Sequence, residues 1–140
     1  MNQRIEAVAL GSPIPQDAAS KTILVVEDNE LNMKLFCDLL KARGYNVLQA
    51  QEAATGLQIA RERRPDLIIM DIQLPGEISG LEASGSLKRD ETLKAIPIIA
   101  VTAFAMKGDE EKILGAGCNA YLSKPISVSS FLKTIEQFWT

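Results

Sequence analysis

At 140 residues, with 46% hydrophobic and 24% charged, the chain has the make-up of one globular domain and too little length for two. Its net charge of −3, from 15 basic and 18 acidic residues, lacks the basic excess of a nucleic-acid binder, and no apolar run nears the ~20 residues that span a bilayer. The absence of histidine excludes a histidine metal site, Ser-His-Asp or Cys-His catalysis, and a phosphohistidine of the chain's own.

Cys37 and Cys118 are too far apart for a CxxC unit and are expected to be buried free thiols. Residues 1–20 carry two prolines, one glycine and no clear period, and are expected to form a flexible extension to a domain over residues 21–140. Their short apolar stretch, Ala7 to Leu10, has no signal-peptide h-region, which leaves the cytoplasm as the expected location.

From Lys21 onward, apolar runs alternate with helical periods. Thr22 to Val26 is a continuous β-branched run, the pattern of a strand buried on both faces. The helix after it is capped by Asn29 and closed by Gly44, with Leu31, Leu35, Phe36, Leu39 and Leu40 on its expected apolar face. Val47 to Ala50 predicts a second strand, and Ala53 to Arg64 a helix ended by Pro65. Leu67 to Met70 is a third strand that runs straight into Asp71.

The third helix, Leu81 to Arg89, is the weakest pattern. Ser84, Gly85 and Ser86 sit near its middle, and a helical glycine costs about 1 kcal/mol relative to alanine. Ile98 to Val101 is a fourth strand ending at Thr102. A helix over Met106 to Ala116 follows, with Ile113 and Leu114 as expected core positions, then a short strand, Ala120 to Leu122, which Pro125 stops after Ser123 and Lys124. The last helix places Val128, Phe131, Leu132, Ile135, Phe138 and Trp139 along one stripe.

Five strands alternating with five helices predict an α/β fold, a parallel sheet doubly wound by helices on both faces. Such sheets bind ligands outside the carboxyl ends of their strands. Those ends carry Glu27 and Asp28, Asp71, Thr102 and Lys124. Each alone has an ordinary reading, as a solvated turn acid, a helix cap, a strand end or an exposed charge. Convergence at four strand ends argues for a common purpose. Carboxylates brought together repel unless a cation sits among them, and Mg²⁺ favours oxygen ligands of this kind. A carboxylate beside such a cation can act as a nucleophile toward a phosphoryl group, with lysine neutralising charge and a threonine hydroxyl donating to a phosphoryl oxygen.

The segments Val26 to Asn29, Met70 to Pro75, Val101 to Ala103 and Tyr121 to Pro125 resemble the signature segments of response-regulator receiver domains, over about Lys21 to Trp139. The resemblance implies a CheY-like, flavodoxin-like sheet of strand order 2-1-3-4-5. It implies that Asp71 is the phosphoacceptor. Glu27, Asp28 and Asp71 would hold Mg²⁺, with the backbone carbonyl of Gln73. Thr102 and Tyr121 would be the switch pair, and Lys124 would pair with the phosphoryl group next to a cis bond to Pro125.

Within the family, EDNELNMKL (Glu27 to Leu35) and VTAFAMKGDEE (Val101 to Glu111) look most like single-domain regulators of cell division, and next like receivers of hybrid histidine kinases. Expected partners are sensor histidine kinases, phosphatases or histidine phosphotransfer proteins, with no nucleic acid and no membrane insertion. With no output segment after the last helix, signalling is expected through protein–protein binding in a phosphorelay, and not through turnover as an enzyme. Phe104, two residues after Thr102, either flanks the phosphoryl group and slows attack by water or packs on the next helix. Ala103 is small enough to leave room for a donor histidine.

One departure stands out. Between Pro75 and Gly80 lie four residues, Gly76 to Ser79, where the family pattern has three. A docking receiver that takes no phosphate is therefore an alternative. Two other classes fit less well. A haloacid-dehalogenase-type enzyme needs an aspartate where Gln73 stands. A flavodoxin-like carrier needs a phosphate-cradling loop where Glu27 and Asp28 place negative charge.

Overall fold

The computed structural model describes residues 21–103 and 107–139. The extension expected over residues 1–20 lies outside them, as does Phe104. Strands and helices alternate as β1 (Thr22–Val26), α1 (Glu30–Ala42), β2 (Asn46–Ala50), α2 (Ala53–Arg63) and β3 (Leu67–Asp71). They continue as α3 (Gly80–Arg89), β4 (Ile98–Thr102), α4 (Lys107–Gly115), β5 (Ala120–Ser123) and α5 (Val128–Glu136), with a closing 3₁₀ turn at Gln137–Trp139. The strands form one sheet of order β2-β1-β3-β4-β5, every neighbouring pair parallel.

The continuous apolar strands are explained by burial on both faces. Along β1, Ile23 and Val25 pack with α1 and α5, while Leu24 and Val26 pack with α2, α3 and α4. Along β3 the same alternation places Leu67 and Ile69 on the first face and Ile68 and Met70 on the second. Cys37 and Cys118 are buried free thiols, one in each layer. On the α1/α5 face, Phe36 and Phe131 stack with ring centroids 5.1 Å apart. Full burial of such a side chain contributes about 1.5–3 kcal/mol.

The termini of α1 follow from its sequence. Asn29 accepts a hydrogen bond from the Asn32 N–H, and Glu30 sits in the positive first turn. At the other end Gly44 takes φ +92°, and the N–H groups of Gly44 and Tyr45 reach back to the carbonyls of Lys41 and Leu40. That pattern satisfies carbonyls at the C-terminal end of the helix, the Leu40 carbonyl accepting from Arg43 as well.

Phe36 and Leu40 of the expected α1 face are buried and Leu39 packs at its edge, but Leu31 and Leu35 do not belong to it. Met33, Phe36, Cys37 and Leu40 are buried, whereas Leu31 is 80% exposed. Leu35 is also exposed. The i, i+3, i+4, i+7 set starting at Met33 faces the sheet, and this turns the Leu31–Leu35 pair outward. On α4, Ile113 is buried but Leu114 is exposed, so only one of the two aliphatics belongs to the core.

The weak third helix is real and starts one residue earlier than expected. Ser79 accepts from the Glu82 N–H, and Glu82 accepts in return from the Ser79 N–H. This reciprocal cap fixes the start of α3 despite the glycine and serines that follow. Gly76 in the loop before it takes φ +108°, a conformation that glycine adopts without a side-chain penalty.

The C-terminus is tied to the end of α1. Arg43, buried between α1 and α5, pairs with Glu136. Trp139 Nε1 donates to the Tyr45 hydroxyl at 3.2 Å, and the Lys21 ammonium lies 5.7 Å from the centre of the Trp139 rings. No helix among the described residues is long and apolar enough to cross a membrane.

Candidate functional site

The carboxyl ends of β1, β3, β4 and β5 place the expected residues side by side. Glu27 follows β1 directly, and its N–H bonds the carbonyl of Ala50 on β2 at 2.9 Å. Asp71 is the last residue of β3 and Thr102 the last of β4. Lys124 follows β5, its N–H held by the Thr102 carbonyl at 2.8 Å. The Lys124–Pro125 peptide is cis.

Carboxylate oxygens of Glu27, Asp28 and Asp71 lie within 4.8 Å of one another. Glu27 and Asp71 are almost wholly buried, while Asp28 opens to solvent. Lys124 Nζ reaches 3.0 Å from Asp71 Oδ2 and 3.1 Å from Glu27 Oε1. The first contact has hydrogen-bond geometry. The second is an ion pair by distance, and Glu27 Oε1 has no hydrogen-bond partner. The other oxygens are satisfied by backbone. Asp71 Oδ1 accepts from the Gln73 N–H at 2.9 Å, and Glu27 Oε2 from the Asn29 N–H at 3.1 Å.

The electrostatics follow from this crowding. Burial is the largest influence on Glu27; the Asn29 N–H opposes it, the Asp71 carboxylate reinforces it, and Lys124 opposes it again. The outcome is a pKa pushed up to about 7. For Lys124, burial disfavours the ammonium, but its hydrogen bond to Asp71 and the close negative charges of Asp71 and Glu27 outweigh it and raise its pKa. One lysine thus faces a cluster of three carboxylates, and an acceptor buried without a hydrogen bond points into it. A hard divalent cation bound by oxygen fits such a donor set.

Asn29 has a second task that its role as a helix cap concealed. Its backbone N–H orients Glu27, and the only signal in the sequence is the Glu-x-Asn spacing at the start of α1.

Thr102 and Tyr121, the residues expected to form a switch, lie on one face of the sheet. Ala100 and Tyr121 are register partners, and both pack with the α2, α3 and α4 layer. Thr102 lies two residues beyond Ala100 and so projects to that same side. Tyr121 is half-buried, and the negative Glu110 of α4 lies near its hydroxyl. Ala103 is exposed beside the cleft.

The comparisons agree with this arrangement. Residues 23–136 match the response regulator receiver domain. The polar-differentiation response regulator DivK of Brucella anthropi is 59% identical over 118 residues, which covers 84% of this chain and 95% of the relative. DivK of Brucella ovis is also 59% identical, over 119 residues, covering 85% of this chain and 96% of the relative.

Among solved structures, the receiver domain of a sensor histidine kinase from Pseudomonas aeruginosa superposes with a TM-score of 0.78 at 34% identity, covering 84% of this chain and 96% of that one. It holds a magnesium ion in its active site cleft. A response regulator from Chloroflexus aurantiacus gives a TM-score of 0.80 at 27% identity, with the same coverage of 84% and 96%. With sheet order, strand-end chemistry and relatives in agreement, this chain belongs to the response regulator receiver domain family.

Proposed function

We propose that this receiver accepts a phosphoryl group on Asp71 from a partner's phosphohistidine and passes the signal on by altered protein binding. The observation that carries the reading is the contact of Lys124 with both Asp71 and Glu27, inside a cluster of three carboxylates at one edge of the sheet. An Asp71 oxygen attacks phosphorus as the P–N bond of the donor breaks. The electron pair goes to the departing imidazole nitrogen, which takes a proton from water. Glu27, Asp28, Asp71 and the Gln73 carbonyl would hold Mg²⁺, whose charge would offset that of the incoming phosphoryl group. Lys124, already oriented by Asp71, pairs with a phosphoryl oxygen, and Ala103 leaves the donor room to approach.

The phosphoryl group adds charge and several acceptor oxygens. Thr102 donates to one of them, Tyr121 moves into the space released, and the surface of α4, β5 and α5 changes its contacts. A phosphoryl group that favours this arrangement by a few kcal/mol shifts the population. The DivK relatives, named for polar differentiation, support a role in cell-division control, with sensor kinases, phosphatases or histidine phosphotransfer proteins as partners. The site lies on a chain with no membrane-crossing helix among its described residues, which agrees with cytoplasmic partners.

The test is incubation with acetyl phosphate and Mg²⁺ followed by intact mass. The expected result is one added phosphoryl group in the parent and none in Asp71→Asn or in EDTA. An unmodified parent that also stays unmodified with a cognate kinase would favour a docking receiver that takes no phosphate.

A further inference from the structure

From the contacts of its first residue with the backbone of Asp71, we infer that α3 acts as a positioning element for the phosphoryl-transfer site, with Gly80 as the residue that sets the position. This rests on the reading of Asp71 as phosphoacceptor. A β-carbon built on Gly80 would lie 1.9 Å from the carbonyl oxygen of Asp71, and 2.9 Å from both the Asp71 carbonyl carbon and the Ile72 Cα. All three are backbone atoms at the end of β3. No rotamer change relieves such contacts, so any side chain here must displace either the helix or the strand end. Gly80 is not among the residues with positive φ. Its glycine is required by space, not by backbone conformation.

Hydrogen bonds on both the helix and the strand side hold this close approach in register. The Gly80 N–H donates to the Ile72 carbonyl at 3.2 Å, closing the loop of residues 72–79 at its neck. The buried Ser84 hydroxyl donates to the Gly80 carbonyl at 2.9 Å. Ser79 and Glu82 lock the first turn from outside. On the strand side, the Ile72 N–H is fixed by the Val101 carbonyl at 3.0 Å. The atoms so clamped lead directly to the Asp71 carboxylate and to Gln73, whose N–H holds Asp71 Oδ1. The neck also explains how a loop with one extra residue is accommodated. Its ends are tied to each other, and the additional length is taken up between them, where Gly76 turns.

A Gly80→Ala variant is expected to bind Mg²⁺ at least fivefold more weakly by calorimetric titration, and to be phosphorylated by acetyl phosphate at least fivefold more slowly. Gly85→Ala is the matched control. It lies in the same helix, its β-carbon would meet only the movable end of Arg89 at 3.2 Å, and alanine favours the helix. It should match the parent in both measurements. A role confined to stability would lower the urea midpoint of Gly80→Ala and leave the Mg²⁺ dissociation constant of the folded protein unchanged, and that result overturns the inference. If Gly80→Ala does not fold, Ser84→Ala decides the matter by removing the side-chain bond to the Gly80 carbonyl. A two- to fivefold weaker Mg²⁺ affinity supports the inference, and an affinity equal to the parent's overturns it. A parent that neither binds Mg²⁺ nor takes a phosphoryl group refutes the phosphoacceptor reading itself, and this inference falls with it.

Discussion

Replacing Glu27 by glutamine should stabilise the metal-free protein at pH 8. The carboxyl is buried beside Asp71, and its pKa rises from the ordinary 4.5 to about 7. A carboxyl whose folded pKa lies above its unfolded one binds more protons when folded. Its effect is therefore neutral below about pH 4.5, and stability is lost progressively as pH rises to about 7 and remains lost above it. At roughly 1.4 kcal/mol per pKa unit, the loss has a ceiling of about 3 kcal/mol.

Glutamine removes the charge but weakens the pairing with Lys124 and the bond from Asn29, at a cost of about 1 kcal/mol. The net gain expected at pH 8 in EDTA is about 1–2 kcal/mol, or several degrees in Tm for a domain of this size. Urea unfolding of both proteins at pH 4.5 and pH 8 measures it. Saturating Mg²⁺ should close or reverse the gap, since a ligand at a hundredfold its Kd adds about 2.7 kcal/mol to the parent. A variant no more stable than the parent at pH 8, or a gain equal at both pH values, would refute the idea that crowded carboxylates strain the empty site.

Two further outcomes are expected. Tyr121→Ala should take up phosphoryl from acetyl phosphate at close to the parental rate yet lose the phosphorylation-dependent part of partner binding; unchanged binding by the phosphorylated variant, in a pull-down with the cognate kinase, would count against the Thr102–Tyr121 coupling. Glu136→Ala removes the partnering carboxylate of the buried Arg43 and should lower stability by about 1–3 kcal/mol in urea, without altering Mg²⁺ affinity at the far end of the sheet.

The strands and the site were legible in the sequence for one physical reason. A strand buried on both faces reads as an unbroken apolar run, so its end is sharp, and the first polar residue after it is already at the mouth of the sheet. Glu27, Asp71 and Thr102 were therefore located by the runs that precede them, and Lys124 by the proline that follows it. Amphipathic helices give weaker information. Phe36 and Leu40 of α1 were legible as core, but the rest of the stripe is Met33 and Cys37, not Leu31 and Leu35, and Phe36 stacks on Phe131. Residue type alone does not report that tertiary match. Arg43 was hidden for the opposite reason: a charged residue at a helix end looks solvated until a carboxylate 93 residues away reaches it. The start of α3 was obscured by low helix propensity in its middle, although the Ser-x-x-Glu cap at Ser79 and Glu82 was present to be read.

The two kinds of legibility meet at the site. The charged groups that define it are costly to hold together, and the two buried carboxylates, Glu27 and Asp71, sit at the ends of β1 and β3, strands buried over nearly their whole length. A strained cluster on a soft support would relax by moving its carboxylates apart. On this support it has fewer ways to relax: proton uptake at Glu27, a divalent cation, or a change in the charge on Asp71. The first explains the raised Glu27 pKa. The second would offset the charge of an oxygen-only donor set in the interior. On the proposed reading, the third would make phosphorylation an event that the surrounding packing must answer, at Thr102 and Tyr121 on one side and at the backbone clamped by Gly80 on the other. On that reading, rigidity at the strand ends would convert a local change of charge into a change of surface.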